Sequence, residues 1–155
     1  MASTVTASTM TVTISESITL NGKNQGGTQT LSIPSIATVS RRIIDVPASE
    51  VEIIAMSTAV AAGTFIESDV LYIRITNLDD TNHVTLTFKD EDNTEVALLL
   101  DKGQTFIYNG DLSGGVVDTM DADSSALSVG LGDLVNITAT ADTAACDVEV
   151  FVACK

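Results

Sequence analysis

Nine residues near the C-terminus, Cys146-Asp147-Val148-Glu149-Val150-Phe151-Val152-Ala153-Cys154, alternate without a break. Cys146, Val148, Val150, Val152 and Cys154 share one side. Side chains of an extended strand point to opposite faces in turn, so these five residues share one face only as a β-strand. The same period governs Met10 to Leu20, where Met10, Val12, Ile14, Ile18 and Leu20 face one way and hydroxyls the other. That predicts a long strand with one side wet, interrupted at Glu16.

Further strands are expected at about 28–33, 36–46, 50–58, 70–77, 84–89, 95–100, 104–108, 125–129, 134–140 and 146–153. The turns between them carry the chemistry that reverses a chain: Asn21-Gly22, Gly26-Gly27, Asp79-Asp80-Thr81-Asn82, Asp90-Glu91-Asp92-Asn93, Asp101-Lys102-Gly103, Asn109-Gly110-Asp111 and Gly130-Leu131-Gly132-Asp133. Only Glu50 to Ala62 has a helical face, and its Val-Ile-Ile content keeps it a strand. Turn signals at roughly 8–12-residue spacing predict an all-β fold, an antiparallel β-sandwich or jelly-roll-like barrel. Its 155 residues fit one domain, 10–155, preceded by a flexible Ser/Thr-rich arm at 1–9. With aromatics at 4% and no Trp, the core is expected to be built from Val, Ile, Leu and Ala.

The charge narrows the partners. Net charge is -14, and it is lopsided: residues 1–64 hold four acids against three bases, residues 65–155 seventeen against four. Such a field repels phosphates and anionic membranes, so nucleic acid and membrane are not expected partners. No apolar run reaches the roughly 18–20 residues of a membrane span. The first nine residues lack the charge and apolar core of a secretory signal, so the protein is expected to work where it is made or to leave by cell lysis.

The cysteines fit a reducing compartment. Eight positions apart on a strand they stand roughly 26 Å from each other, beyond disulfide reach, so both are expected to be buried free thiols.

Catalytic patterns are missing. His83, the one histidine, sits in a turn, and neither a Gly-x-Ser-x-Gly elbow, a phosphate-binding Gly-rich loop nor a CxxC accompanies it. The chain reads as a structural or interaction protein rather than an enzyme, with no cofactor. Two acidic stretches offer oxygens to a hard cation, giving Asp90 and Asp92 in one and Asp121 and Asp123 in the other as calcium candidates, although neither matches the EF-hand loop. Arg41 and Arg42, beside Ile43 and Ile44, are the interface candidates: one arginine is expected to face out and the other to lie near a sheet edge or subunit contact, and either both are solvated or one pairs with carboxylates of a neighbouring chain.

Phe65 to Leu86, with Val70-Leu71-Tyr72-Ile73-Arg74-Ile75-Thr76-Asn77 and its Asp-Asp-Thr-Asn turn, resembles a segment of small β-rich virion proteins of tailed bacteriophages. Leu98-Leu99-Leu100-Asp101-Lys102-Gly103-Gln104-Thr105-Phe106-Ile107 is similar to the step that follows it there. The resemblance covers about residues 65–110. It implies a capsid decoration (cement) protein located in the virion, commonly a homo-trimer, whose partner is the major capsid protein or another virion protein. It carries over no catalytic or binding residue. The alternative is a fibre or receptor-binding module, with calcium-dependent sugar binding at the acidic turns.

Overall fold

A computed structural model describes residues 4–121 and 130–155. The strands, in chain order, are β1 (Ser8–Ser15), β2 (Thr19–Leu20), β3 (Lys23–Asn24), β4 (Thr28–Ile36), β5 (Thr38–Val46), β6 (Val51–Ser57), β7 (Phe65–Ile66), β8 (Val70–Asn77), β9 (Val84–Asp90), β10 (Glu95–Leu100), β11 (Thr105–Asn109), β12 (Leu134–Ala141) and β13 (Cys146–Cys154). A single 3-10 turn, Glu67–Asp69, is the one helical element among the described residues. The strand expected at 125–129 lies outside them.

Two sheets face each other. One runs β10-β9-β12-β6-β7 and the other β11-β8-β13-β5. Every pairing is antiparallel except the two-residue contact of β6 with β7. Setting the short β7 aside, the eight long strands from β5 onward divide so that first, eighth, third and sixth share one sheet, and second, seventh, fourth and fifth the other. That is the double Greek-key winding of a jelly roll. It makes the chain an antiparallel β-sandwich, as the two-residue period predicted.

The core between the sheets is aliphatic. Ile73 and Ile75 of β8, Val148, Val150 and Val152 of β13, Leu86 and Phe88 of β9 and Ile137 of β12 are buried. β6 departs from simple alternation, because Ile53 and Ile54 are both fully buried. Ile137 and Thr138 of β12 pair with Ile54 and Glu52, skipping Ile53. This bulge puts two consecutive isoleucines inside without disturbing the rest of the register.

The N-terminal run corrects the expected long strand. β1 ends at Ser15, and Thr19 and Leu20 pair instead with Asn24 and Lys23 across an Asn21-Gly22 turn whose φ angles are 50° and 75°. Left-handed values at both central positions are what a tight hairpin with the sheet's own twist demands. β1 pairs with β4 in the same phase, Ser15 opposite Thr28, so residues 8–36 form one long hairpin broken around Glu16 and Gly26. A Cβ on Gly26 would stand 2.1 Å from the Glu16 carbonyl oxygen, which is why the chain uses glycine there. Ile14, Ile18 and Leu20, expected on a common apolar face, are about half exposed toward the tip. Ser8 and Thr9, read as the end of the arm, belong to β1, where Ser8 pairs with Ile36 and Thr9 falls at a register shift before Met10.

Candidate interaction surface

The hairpin lies over the outer face of the β11-β8-β13-β5 sheet, and its root is held by a second, smaller core. Ile33 and Ile36 bury against Leu71, Tyr72 and Ala153, with Met10, Val12, Ile107 and Phe151 at the margin. Ser35, with φ of 63°, turns the chain just before Ala37, whose N–H donates to the Cys154 carbonyl at 2.9 Å. Beyond the root the hairpin stands off the sheet, leaving an apolar groove that Val12, Ile14, Leu31, Tyr72 and Ile107 line.

Beside the hairpin runs a charged row. Register sets Phe151 of β13 between Arg41 of β5 and Arg74 of β8, and Glu149 one row along. Glu149 therefore meets both arginines. Arg41 Nε donates to Oε2 at 2.7 Å and Arg74 Nη2 to Oε1 at 2.5 Å. Arg74 also lies 5.7 Å over the Phe151 ring, which meets Tyr72 edge-on at 6.0 Å. The two arginine hydrogen bonds hold the Glu149 carboxyl below its ordinary value.

The interface candidates thus fall out differently from one another. Arg41 is accessible, its side chain 67% exposed, but already paired to Glu149 of its own chain. Arg42 points to the other face and donates to the Ile53 carbonyl on β6, tying the two sheets together at that margin. Ile44 packs against the core, whereas Ile43 is exposed. Both arginines have partners within the chain, a pairing that the adjacency of Arg41 and Arg42 alone did not reveal.

The acidic turns use their carboxylates on themselves. Asp90 accepts from the Asp92 and Thr94 N–H groups at 3.0 and 2.8 Å, and from the Thr94 hydroxyl. Asp79 accepts from Thr81 and Asn82 N–H at 2.7 and 2.6 Å, and these bonds lower its pKa. Among the described residues no group of three or more His, Cys, Asp or Glu is placed to hold a metal ion. Of the calcium candidates, Asp90 caps its turn, Asp92 is exposed, Asp121 lies at the margin of the described chain and Asp123 outside it.

Carboxylates do converge elsewhere. Asp45 and Asp147 sit directly opposite each other across β5 and β13, and with Asp79 and Asp80 they line an acidic hollow. Glu67 is buried, and burial first, then the charges of Asp133 and Glu91, raises its pKa. These sequence-distant acids carried no signal in a linear reading.

His83 Nδ1 stands 3.8 Å from Asp142 in a half-exposed pair. Among the described residues no hydrogen bond joins its ring to a hydroxyl or thiol. Cys146 and Cys154 are unbridged and buried at opposite ends of β13. The Cys146 thiol faces the Ala144 carbonyl at 3.5 Å, and burial pushes Cys154 up to about 11, so neither is poised as a nucleophile.

No family model matches the chain, and no curated protein does. Among solved structures it is similar to a chain from "Bacillus endospore appendages form a novel family of disulfide-linked pili", with a TM-score of 0.42 and 12% identity over 99% of this chain and 91% of that one. A likeness at that level carries no argument about function.

Proposed function

We propose that this chain is a non-enzymatic structural protein of a virus particle, a decoration or cement protein that stabilises the capsid shell through protein–protein contacts. One observation carries the reading: several turn and sheet carboxylates are paired within the chain while a set of large apolar side chains stands exposed. Turn aspartates cap their own turns, and Glu149 is taken by two arginines of the same chain. Exposed instead are Ile14, Ile18, Leu20, Ile43 and Leu99, on a projecting hairpin and on sheet edges. Scattered exposed apolar residues are normal, but grouped on edges and a hairpin they suit assembly.

Two further points agree. Jelly rolls recur in viral capsid domains, although a fold alone does not decide a function. The residues that resemble tailed-phage decoration proteins, about 65–110, coincide with β7 to β11 and their turns. The partner is then the major capsid protein or another virion protein, and the trimer implied by the resemblance is the working stoichiometry.

The test is made on particles. Purified, salt-washed virions should contain the chain at a fixed ratio to the shell protein, and particles made without it should lose shell integrity at lower temperature in negative-stain imaging. Washed particles free of the chain would overturn the reading.

A further inference from the structure

The sandwich is closed along one margin and open along the other. At the β5–β6 margin Arg42 bonds the Ile53 carbonyl across the gap, and Arg41 and Asp45 put charge along the edge strand. Charges on an edge strand discourage another chain from pairing with it. At the other margin lies β10, Glu95-Val96-Ala97-Leu98-Leu99-Leu100, whose one charge is its first residue. Val96 and Leu98 belong to the core-facing side, paired opposite Phe88 and Leu86, yet they remain 41% and 36% exposed. The opposite sheet does not cover them. Among the described residues no strand pairs with the outer edge of β10, and a free backbone edge beside half-covered core residues is a sheet one strand short.

The direction of the free groups follows from the ladder. The Asp90 N–H donates to the Thr94 carbonyl at 3.1 Å, which makes that pair a hydrogen-bonded one. Alternation then bonds Val96, Leu98 and Leu100 to β9 and turns the main-chain groups of Glu95, Ala97 and Leu99 toward the open side.

We infer that β10 is a docking edge for a second copy of this chain, the two β10 strands pairing antiparallel about a two-fold axis through Ala97. Charge selects this occupant and this register. With the axis at Ala97, Glu95 lies opposite Leu99 of the second copy, and the acidic Asp92 turn comes alongside Lys102 of the second copy, twice by symmetry. Glu95 is already neutralised by Lys89 at 3.0 Å. Moving the axis one residue, to Leu98, sets Glu95 against Asp101, and a parallel arrangement sets the acidic turns against each other. The contact joins two five-stranded sheets into one and covers Val96 and Leu98. A six-residue strand pair is smaller than a standard interface of about 1,600 Å², so the dimer is concentration-dependent. It is independent of the virion reading and leaves other surfaces for a trimer.

Sedimentation velocity on the full chain, from about 5 µM to about 500 µM, tests it in the range where micromolar association is visible. The expected result is a shift from monomer to dimer. Ala97→Pro, which removes an edge donor without touching the β9 bonds, and Leu99→Glu, which sets like charges opposite each other at Glu95 of the second copy, should each weaken it at least tenfold with the thermal melt retained. Lys102→Glu should weaken it with a reduced salt dependence. If the proline variant fails to fold, Leu99→Glu decides. A monomer at every concentration, a trimer in place of a dimer, or a dimer undiminished in folded Leu99→Glu overturns the inference. Because no particle is present, this outcome is separate from the virion test.

Discussion

Glu149 and Glu67 are both buried carboxylates, and they act on stability with opposite sign. Glu149 is held low by Arg41 and Arg74, so its contribution is present above the ordinary value near 4.5 and is lost as pH falls through its lower folded value. Glu67 is pushed up by burial and by Asp133 and Glu91; the folded state binds its proton more tightly, and stability is lost as pH rises from near 4.5 through the raised folded value. Glu67→Gln should therefore raise the melting temperature at pH 7, on the order of 3 °C for about 1 kcal/mol in a chain of this length, and by less at pH 4. Glu149→Gln should lower it at pH 7 and converge with the parent at acid pH. Melts of both variants from pH 3 to 8 check the pair; a Glu67→Gln melt below the parent at pH 7 would show that the carboxylate has a partner it needs. Asn77, fully buried, is the neutral counterpart. Its amide donates to the Asn82 and Leu100 carbonyls at 2.9 and 3.2 Å, and its oxygen accepts from Asp79 N–H at 3.0 Å. An Asn in an apolar strand is tolerated because every polar atom is satisfied.

The hairpin of β1 and β4 separates into a root and a tip with different duties. Ile33 is 1% exposed in the small outer core, so Ile33→Ala should destabilise the fold by about 2–4 kcal/mol, the range for truncating a buried isoleucine. Residues 4–7 carry no strand and are exposed. Deleting Ala2–Ala7 should leave the melt within about 1 °C of the parent, since surface changes away from packed groups rarely exceed ~0.5 kcal/mol. A large fall on that deletion would mean that the first residues cover part of the body. Gly115 is a tighter constraint in the loop after β11. Its φ is +68° and a Cβ would fall 2.2 Å from the Glu67 carbonyl oxygen, so only glycine lets the Asp111–Gly115 turn sit against the 3-10 turn.

The whole chain carries its charge unevenly, and the fold concentrates the imbalance. Asp45 and Asp147, a hundred residues apart in sequence, face each other across a ladder, where like charges are destabilising. No ion pair joins either to a cation among the described residues. Screening should therefore help: raising NaCl from about 20 mM to about 200 mM, which shortens the Debye length from roughly 20 Å to below 10 Å, should raise the melting temperature at pH 7. Asp45→Asn should raise it too and reduce the salt response. A melt that falls with salt would place attractive pairs such as Lys89 with Glu50 and Glu95 above the repulsion.

The sequence by itself determined most of the long strands, because a period of two and turn residues such as Asn21-Gly22 or Asp90 to Asn93 act within a few residues of backbone; it did not show the break that separates β2 from β1, nor the two-residue β3 and β7. Local chemistry marked most of the places where the chain extends and reverses, and the free cysteines followed from their spacing on one strand. It did not determine which strands are neighbours. That Glu149 meets Arg41 and Arg74, that Arg42 reaches Ile53, that Ile14, Ile18 and Leu20 stand outside and that β10 has no second neighbour among the described residues are all consequences of jelly-roll order. Pairing between distant segments is chosen by the joint burial of two sheets, a cooperative property that no local pattern encodes. The alternation shows which face of a strand is apolar, and only the packed sheets decide whether anything covers it.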